Sequence, residues 1–137
     1  MAKKRNLVEY VNLFAKITRQ ELHFGSSGNG SEKYPFRIGA YIDLAATLDK
    51  PFRDVSSVEV SLSEAGDGIQ GIAHIGMVHR IKPIIYVGLW ADTKACDRLL
   101  PVIAAQRLTD LYLTIEKPRY GKAWVLNWQV RTAPEVD

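Results

Sequence analysis

LVEYVNLFAKITRQ, residues 7–20, decides the fold class, because its apolar residues fit two periods at once. Wound as a helix, Leu7, Val8, Tyr10, Val11, Leu13, Phe14, Ala15 and Ile17 cover one broad face, opposite Glu9, Asn12, Lys16, Arg19 and Gln20. Asn6 with Glu9 three residues on resembles a capping box. Extended as a strand, Val11, Leu13, Ala15 and Ile17 alternate with their neighbours, and the segment is rich in the Val, Tyr, Phe, Ile and Thr that strands favour. The helical template matches more positions, so the local reading tips to helix.

The chain beyond this segment has a period of two. Phe36, Ile38, Ala40, Ile42 and Leu44 alternate with Arg37, Gly39, Tyr41 and Asp43, and Val58, Val60 and Leu62 alternate with Ser57, Glu59, Ser61 and Ser63. LDKPFRD, residues 48–54, reads as a turn or crossover between them. EAGDG at 64–68 carries an Asp-Gly hairpin signal, and residues 69–80 continue as a strand. IIYVGLW, residues 84–90, is apolar on both faces and reads as a central strand covered on each side. Leu111, Leu113 and Ile115, a KPRYGK connection and residues 122–131 then make a closing hairpin.

One helix interrupts this pattern. Asp92 or Thr93 is placed to cap it, and Cys96, Leu99, Leu100 and Ile103 share its inner face. Pro101 falls inside the span and predicts two short helical pieces meeting near Leu100. The fold class expected is therefore β-rich: an antiparallel two-layer β-sandwich or rolled sheet with a short helical insertion around 93–106. It becomes α+β if 7–20 is a helix.

With 137 residues, 47% of them hydrophobic and 24% charged, the chain reads as a single domain, 1–137, that buries its own core. GSSGNGS, residues 25–31, reads as a flexible loop, since it lacks the Lys-Ser/Thr pair of a phosphate-binding P-loop. Of the formal charge of +3, all is supplied by Lys3, Lys4 and Arg5 in a basic tail, 1–5. Cys96 is the one cysteine, which excludes an intramolecular disulfide and a thiolate-rich zinc site. Polar residues break the apolar run after MAKKR, and no segment reaches the ~18 consecutive apolar residues of a membrane span. A cytoplasmic protein without membrane association is expected.

KPRYGKAWVLNWQVR, residues 117–131, is the most function-like stretch. Strict alternation puts Trp124, Leu126, Trp128 and Val130 on one face, which is how a core is built. That leaves Lys117, Arg119, Tyr120 and Lys122 as the candidate contacts to nucleic acid, clustered at the turn.

Signals for catalysis are weak. No GxSxG elbow, HExxH pair or kinase-like signature occurs. His74 and His79, five apart, project to opposite faces of a regular strand, and His23 has no partner visible in the sequence. Asp43, Asp49, Asp54 and Glu64 are the acids of interest, and they flank Arg37, Lys50 and Arg53 as surface ion pairs would. No catalytic residue, cofactor or metal ligand is expected. The leading functional expectation is a non-enzymatic interaction domain that binds protein or self-associates as a homodimer through exposed edge strands. Nucleic-acid binding through the tail and the 117–122 turn is the second. A small-molecule pocket or enzyme, lined by Tyr41, His74, Tyr86 and Trp90, is the third.

Overall fold

The computed structural model describes residues 9–27, 37–64 and 75–132. Its elements are β1 (Tyr10–Ser27), β2 (Arg37–Phe52), β3 (Val55–Glu64), β4 (Gly76–Arg80), β5 (Ile85–Ala91), α1 (Thr93–Ala104), β6 (Leu108–Glu116) and β7 (Ala123–Thr132). The strands close into a barrel in the order β1-β2-β3-β5-β4-β7-β6, with β6 returning to β1. The β-rich class is as expected, whereas the two-layer sandwich or rolled sheet is corrected to a closed barrel. Every neighbouring pair is antiparallel except β3 and β5, which run parallel.

Residues 10–20 are strand, so the helical reading of 7–20 and the α+β alternative are overturned. A helix would have buried Tyr10 and Phe14 with the other apolar residues, and they are 63% and 54% exposed. Leu13 and Ala15 point inward instead, and the strand bonds to β2 on one side and β6 on the other. A register shift between Ile17 and Arg19 then reverses the alternation. Gln20, on the wet face of the helical reading, is buried as a result. Its side-chain amide receives the Leu108 N–H at 3.0 Å and donates to the Leu108 carbonyl at 3.0 Å, continuing the ladder where β1 leaves β6.

The 48–54 segment is also corrected, because β2 runs on to Phe52 and pairs it with Val55. Only Arg53 and Asp54 turn, at φ 50° and 66°, the left-handed pair of a two-residue hairpin. Of GSSGNGS, Gly25 to Ser27 belong to β1, opposite Gly39 to Arg37 of β2. The rest of that stretch, the basic tail, the Asp-Gly of 64–68 and residues 69–74 lie outside the described residues.

Strand β5 has neighbours on both edges but is not covered on both faces. Ile85, Val87, Leu89 and Ala91 are buried, while Tyr86 is exposed. Gly76 of β4 lets the two backbones close: a Cβ there would lie 2.6 Å from the Gly88 carbonyl oxygen.

α1 is one helix with Pro101 inside it, rather than two pieces. The Asp92 carboxylate caps it by accepting the Ala95 N–H at 2.7 Å. Gln106, at φ 56°, and Arg107 bond back to Ile103 and Val102 in a Schellman closure. Cys96 and Ile103 are buried in the core, with Leu99 packed beside them. The barrel interior is filled by Ile42, Val60, Ile85, Leu89, Leu113, Ile115 and their neighbours. Tyr41 and Tyr86 are exposed, so they do not line an internal cavity, and His74 is outside the described residues.

Candidate functional site

The expected contacts lie on the hairpin joining β6 to β7, and its tip carries local strain. Arg119 and Lys122 exchange backbone hydrogen bonds of 2.9 and 3.0 Å around the two-residue turn Tyr120–Gly121, at φ 55° and 75°. Glycine suits that backbone. Tyrosine does not, since its Cβ crowds the following carbonyl at a cost of about 1–2 kcal/mol. Tyr120 has no packing to offset this, because it is 103% exposed.

Cations lie on both sides of Tyr120 in the sequence of the hairpin. Arg119 and Lys122 flank the turn, and among the described residues neither has a carboxylate within ion-pair distance. Lys117 is paired with Glu9 at 3.0 Å, and its N–H donates to the Glu9 carbonyl at 2.9 Å. This contact sets Glu9, just before β1, beside the base of the hairpin. Arg53, from the β2–β3 hairpin, stacks its guanidinium on Phe52 and reaches the Pro118 carbonyl at 3.5 Å. The sequence reading misses Arg53, since nothing in local spacing brings it to a residue 65 positions away.

Trp124 is the second residue missed. Thr114 pairs with Asn127 and Ile115 with Val125, so Leu126 is an extra residue that reverses the alternation of β7. Ala123 and Val125 are buried, and Trp128 and Val130 pack on the core. Trp124 and Leu126 therefore face outward, which corrects the placement of both tryptophans in one buried row. Half-buried Trp124 walls a cavity of about 190 Å³ with Met77, Glu116, Lys117, Arg119 and Lys122. Lys117, Arg119 and Lys122 line this hollow, whereas Tyr120, at the turn between them, does not.

A larger hollow, about 430 Å³, lies on the outer face of β1, β6 and β7, lined by Phe14, Lys16, Asp49, Asp110, Tyr112 and Arg131. Its charges are matched internally. Asp110 bonds to Lys16 and lies 3.7 Å from Arg131. The Asp110 carboxylate raises the ammonium of Lys16, and hydrogen bonds from Lys16 and Thr109 hold Asp110 below the usual carboxylate range. Phe14 rests on Tyr112 at 4.7 Å between centroids. The hairpin tip is smaller and carries Glu9 and Glu116 beside its cations, but among the described residues its Arg119 and Lys122 have no carboxylate at ion-pair distance.

Asp43, Asp49 and Asp54 form no ion pair with Lys50 or Arg53 among the described residues, and the side chains of Arg37 and Glu64 lie outside them. Asp43 faces His23, while Asp49 lies in the outer hollow and Asp54 in a turn. The side chain of His79 lies over Gly88, where a Cβ would come within 2.9 Å of its Nε2. No helix among the described residues is long and apolar enough to cross a membrane.

Comparison with known proteins adds no identification: no family model, curated protein or solved structure matches the chain.

Proposed function

We propose that the protein binds single-stranded nucleic acid through the β6–β7 hairpin tip. The observation that carries this reading is Tyr120, a bulky aromatic fully exposed in a left-handed turn between Arg119 and Lys122. Strain held at an exposed residue is a pointer to function rather than to stability. A free base stacks on such a ring whatever its identity, and Arg53, Lys117, Arg119 and Lys122 supply charge for phosphates. A single strand is favoured over a duplex because its free base faces can stack on the exposed ring, whereas paired bases offer only their edges in the grooves.

Fluorescence anisotropy with labelled oligo-dT and oligo-rU, at low and at physiological salt, tests this reading. Affinity is expected to fall with salt, with roughly 0.7 lost from the logarithmic slope for each of Arg119 and Lys122 replaced by Ala. Tyr120→Asn keeps a residue suited to the turn and removes the ring. It is expected to weaken binding by about 1–3 kcal/mol without lowering thermal stability. Absence of binding at low salt, or affinity indifferent to all three substitutions, would end the proposal. A truncated chain lacking residues 1–5 reports any contribution of the basic tail.

A second reading, protein binding or self-association, is supported by the exposed rings of Tyr10 and Phe14 on β1. Pairing through free strand edges is a weaker basis for it in a closed barrel, where β2 and β7 each have a strand on both sides. Sedimentation that stays monomeric across micromolar concentrations would remove the homodimer.

A further inference from the structure

The geometry points to a surface site for a divalent transition-metal ion of the zinc type, held by Glu21, His23 and Asp43. The cross-strand register of β1 and β2 builds it. Glu21 sits directly opposite Asp43, and His23 is the next residue on the same face of β1. The His23 Nε2 lies 3.1 Å from the Asp43 Oδ2 and 3.4 Å from the Glu21 Oε2. One donor atom from each residue lies within 4.8 Å of the other two.

Those separations have a geometric meaning. Ligands at 2.0–2.1 Å around a tetrahedral ion stand about 3.3–3.4 Å apart, and both nitrogen-to-oxygen distances are close to that edge. The two carboxylates stand opposite each other across the strands, with their donor oxygens within 4.8 Å. The imidazole itself supplies a separate observation. Its Nε2 is shielded from solvent, yet it makes no hydrogen bond of acceptable geometry, although two carboxylate oxygens are near. A ring nitrogen close to two oxygens but bonded to neither leaves its donor or acceptor capacity unused. An orphaned buried nitrogen is costly unless something else meets it.

The chemistry of the donors narrows the ion. One imidazole with two carboxylates suits zinc, whereas magnesium and calcium prefer all-oxygen shells. Tyr41, stacked on His23 at 4.8 Å and 9°, fixes the plane of the ring. Three protein ligands leave a fourth position for water, as in open zinc sites. The rival account is a protonated imidazole held by two carboxylates, and it predicts no metal uptake.

Titration of the full chain with Zn²⁺ by calorimetry, and with Co²⁺ by visible absorption, separates the two. One equivalent of Zn²⁺ is expected to bind, with Co²⁺ giving the strong bands of a tetrahedral site. His23→Ala should abolish those bands, and the isosteric variants Asp43→Asn and Glu21→Gln should each lower Zn²⁺ affinity at least tenfold. Mg²⁺ at the same concentration should not compete. Wild-type protein that takes up no Zn²⁺, or variants that all retain its affinity, would overturn the site. The three residues are on the outer face, so circular dichroism of each variant is expected to match the wild type.

Discussion

Gln20 shows how a single polar side chain can stand in for backbone. Its amide occupies both hydrogen-bonding groups of Leu108, at the point where the two strands part. Gln20→Ala strands a buried N–H and a buried carbonyl, so a loss of about 2–4 kcal/mol is expected from urea unfolding. Arg19→Ala, on the exposed neighbour, should change stability by less than about 0.5 kcal/mol. Equal effects of the two would show that the amide contributes nothing. Neither this role nor the outward turn of Trp124 is legible in the sequence. Each depends on a bulge, whose position is set by pairing with the neighbouring strand and is not fixed by the residues of the bulged strand alone. Lys117, Arg119, Tyr120 and Lys122 are legible as a cluster because a short connection keeps them together whatever the fold. Arg53, Glu21 and Asp43 acquire their roles through cross-strand register, which local spacing does not encode.

Strands β2 and β3 are visible from their period, and α1 from its i, i+3, i+4, i+7 spacing and Asp92 cap. β1 is ambiguous for a physical reason. Its outer face carries Tyr10 and Phe14, so its apolar residues cover two faces of a strand and mimic one face of a helix. The β2–β3 turn looks longer in the sequence than it is because Asp, Lys and Pro in 49–51 resemble loop residues. Pro51 is exposed, where a missing N–H is tolerated. The intact α1 is the converse case, a helix that accepts proline at a cost. Pro101 is exposed and cannot donate to the Asp97 carbonyl. Pro101→Ala is expected to stabilise the fold by about 2 kcal/mol, the helix-propensity gain less the added freedom of the unfolded chain. An unchanged or lowered melting temperature would mean that the helix is already adapted to the ring.

Closure of the barrel is uneven. β1 and β2 share a long ladder, whereas among the described residues β4 and β7 meet through Met77 with Trp124 and Val78 with Ala123 alone. Opening fluctuations should therefore start at the β4–β7 seam. Amide exchange is expected to be faster there than along the centre of β1–β2, and protection that is uniform around the ring would contradict this. Alternation could not disclose closure, since a strand in a barrel and a strand in a sandwich both bury one face.

The parallel β3–β5 pairing has a consequence for how the chain becomes a ring. The first five strands can assemble as an open ribbon with β1 at one border and β4 at the other. Among the described strands, β6 and β7, the latest of the seven in chain order, span the gap between those borders. Until they arrive, both margins are templates for intermolecular pairing. A nascent chain stopped before Leu108 is then a candidate for chaperone capture. The hairpin proposed to hold nucleic acid is also the clasp, which couples the assembly of that site to the closing of the ring.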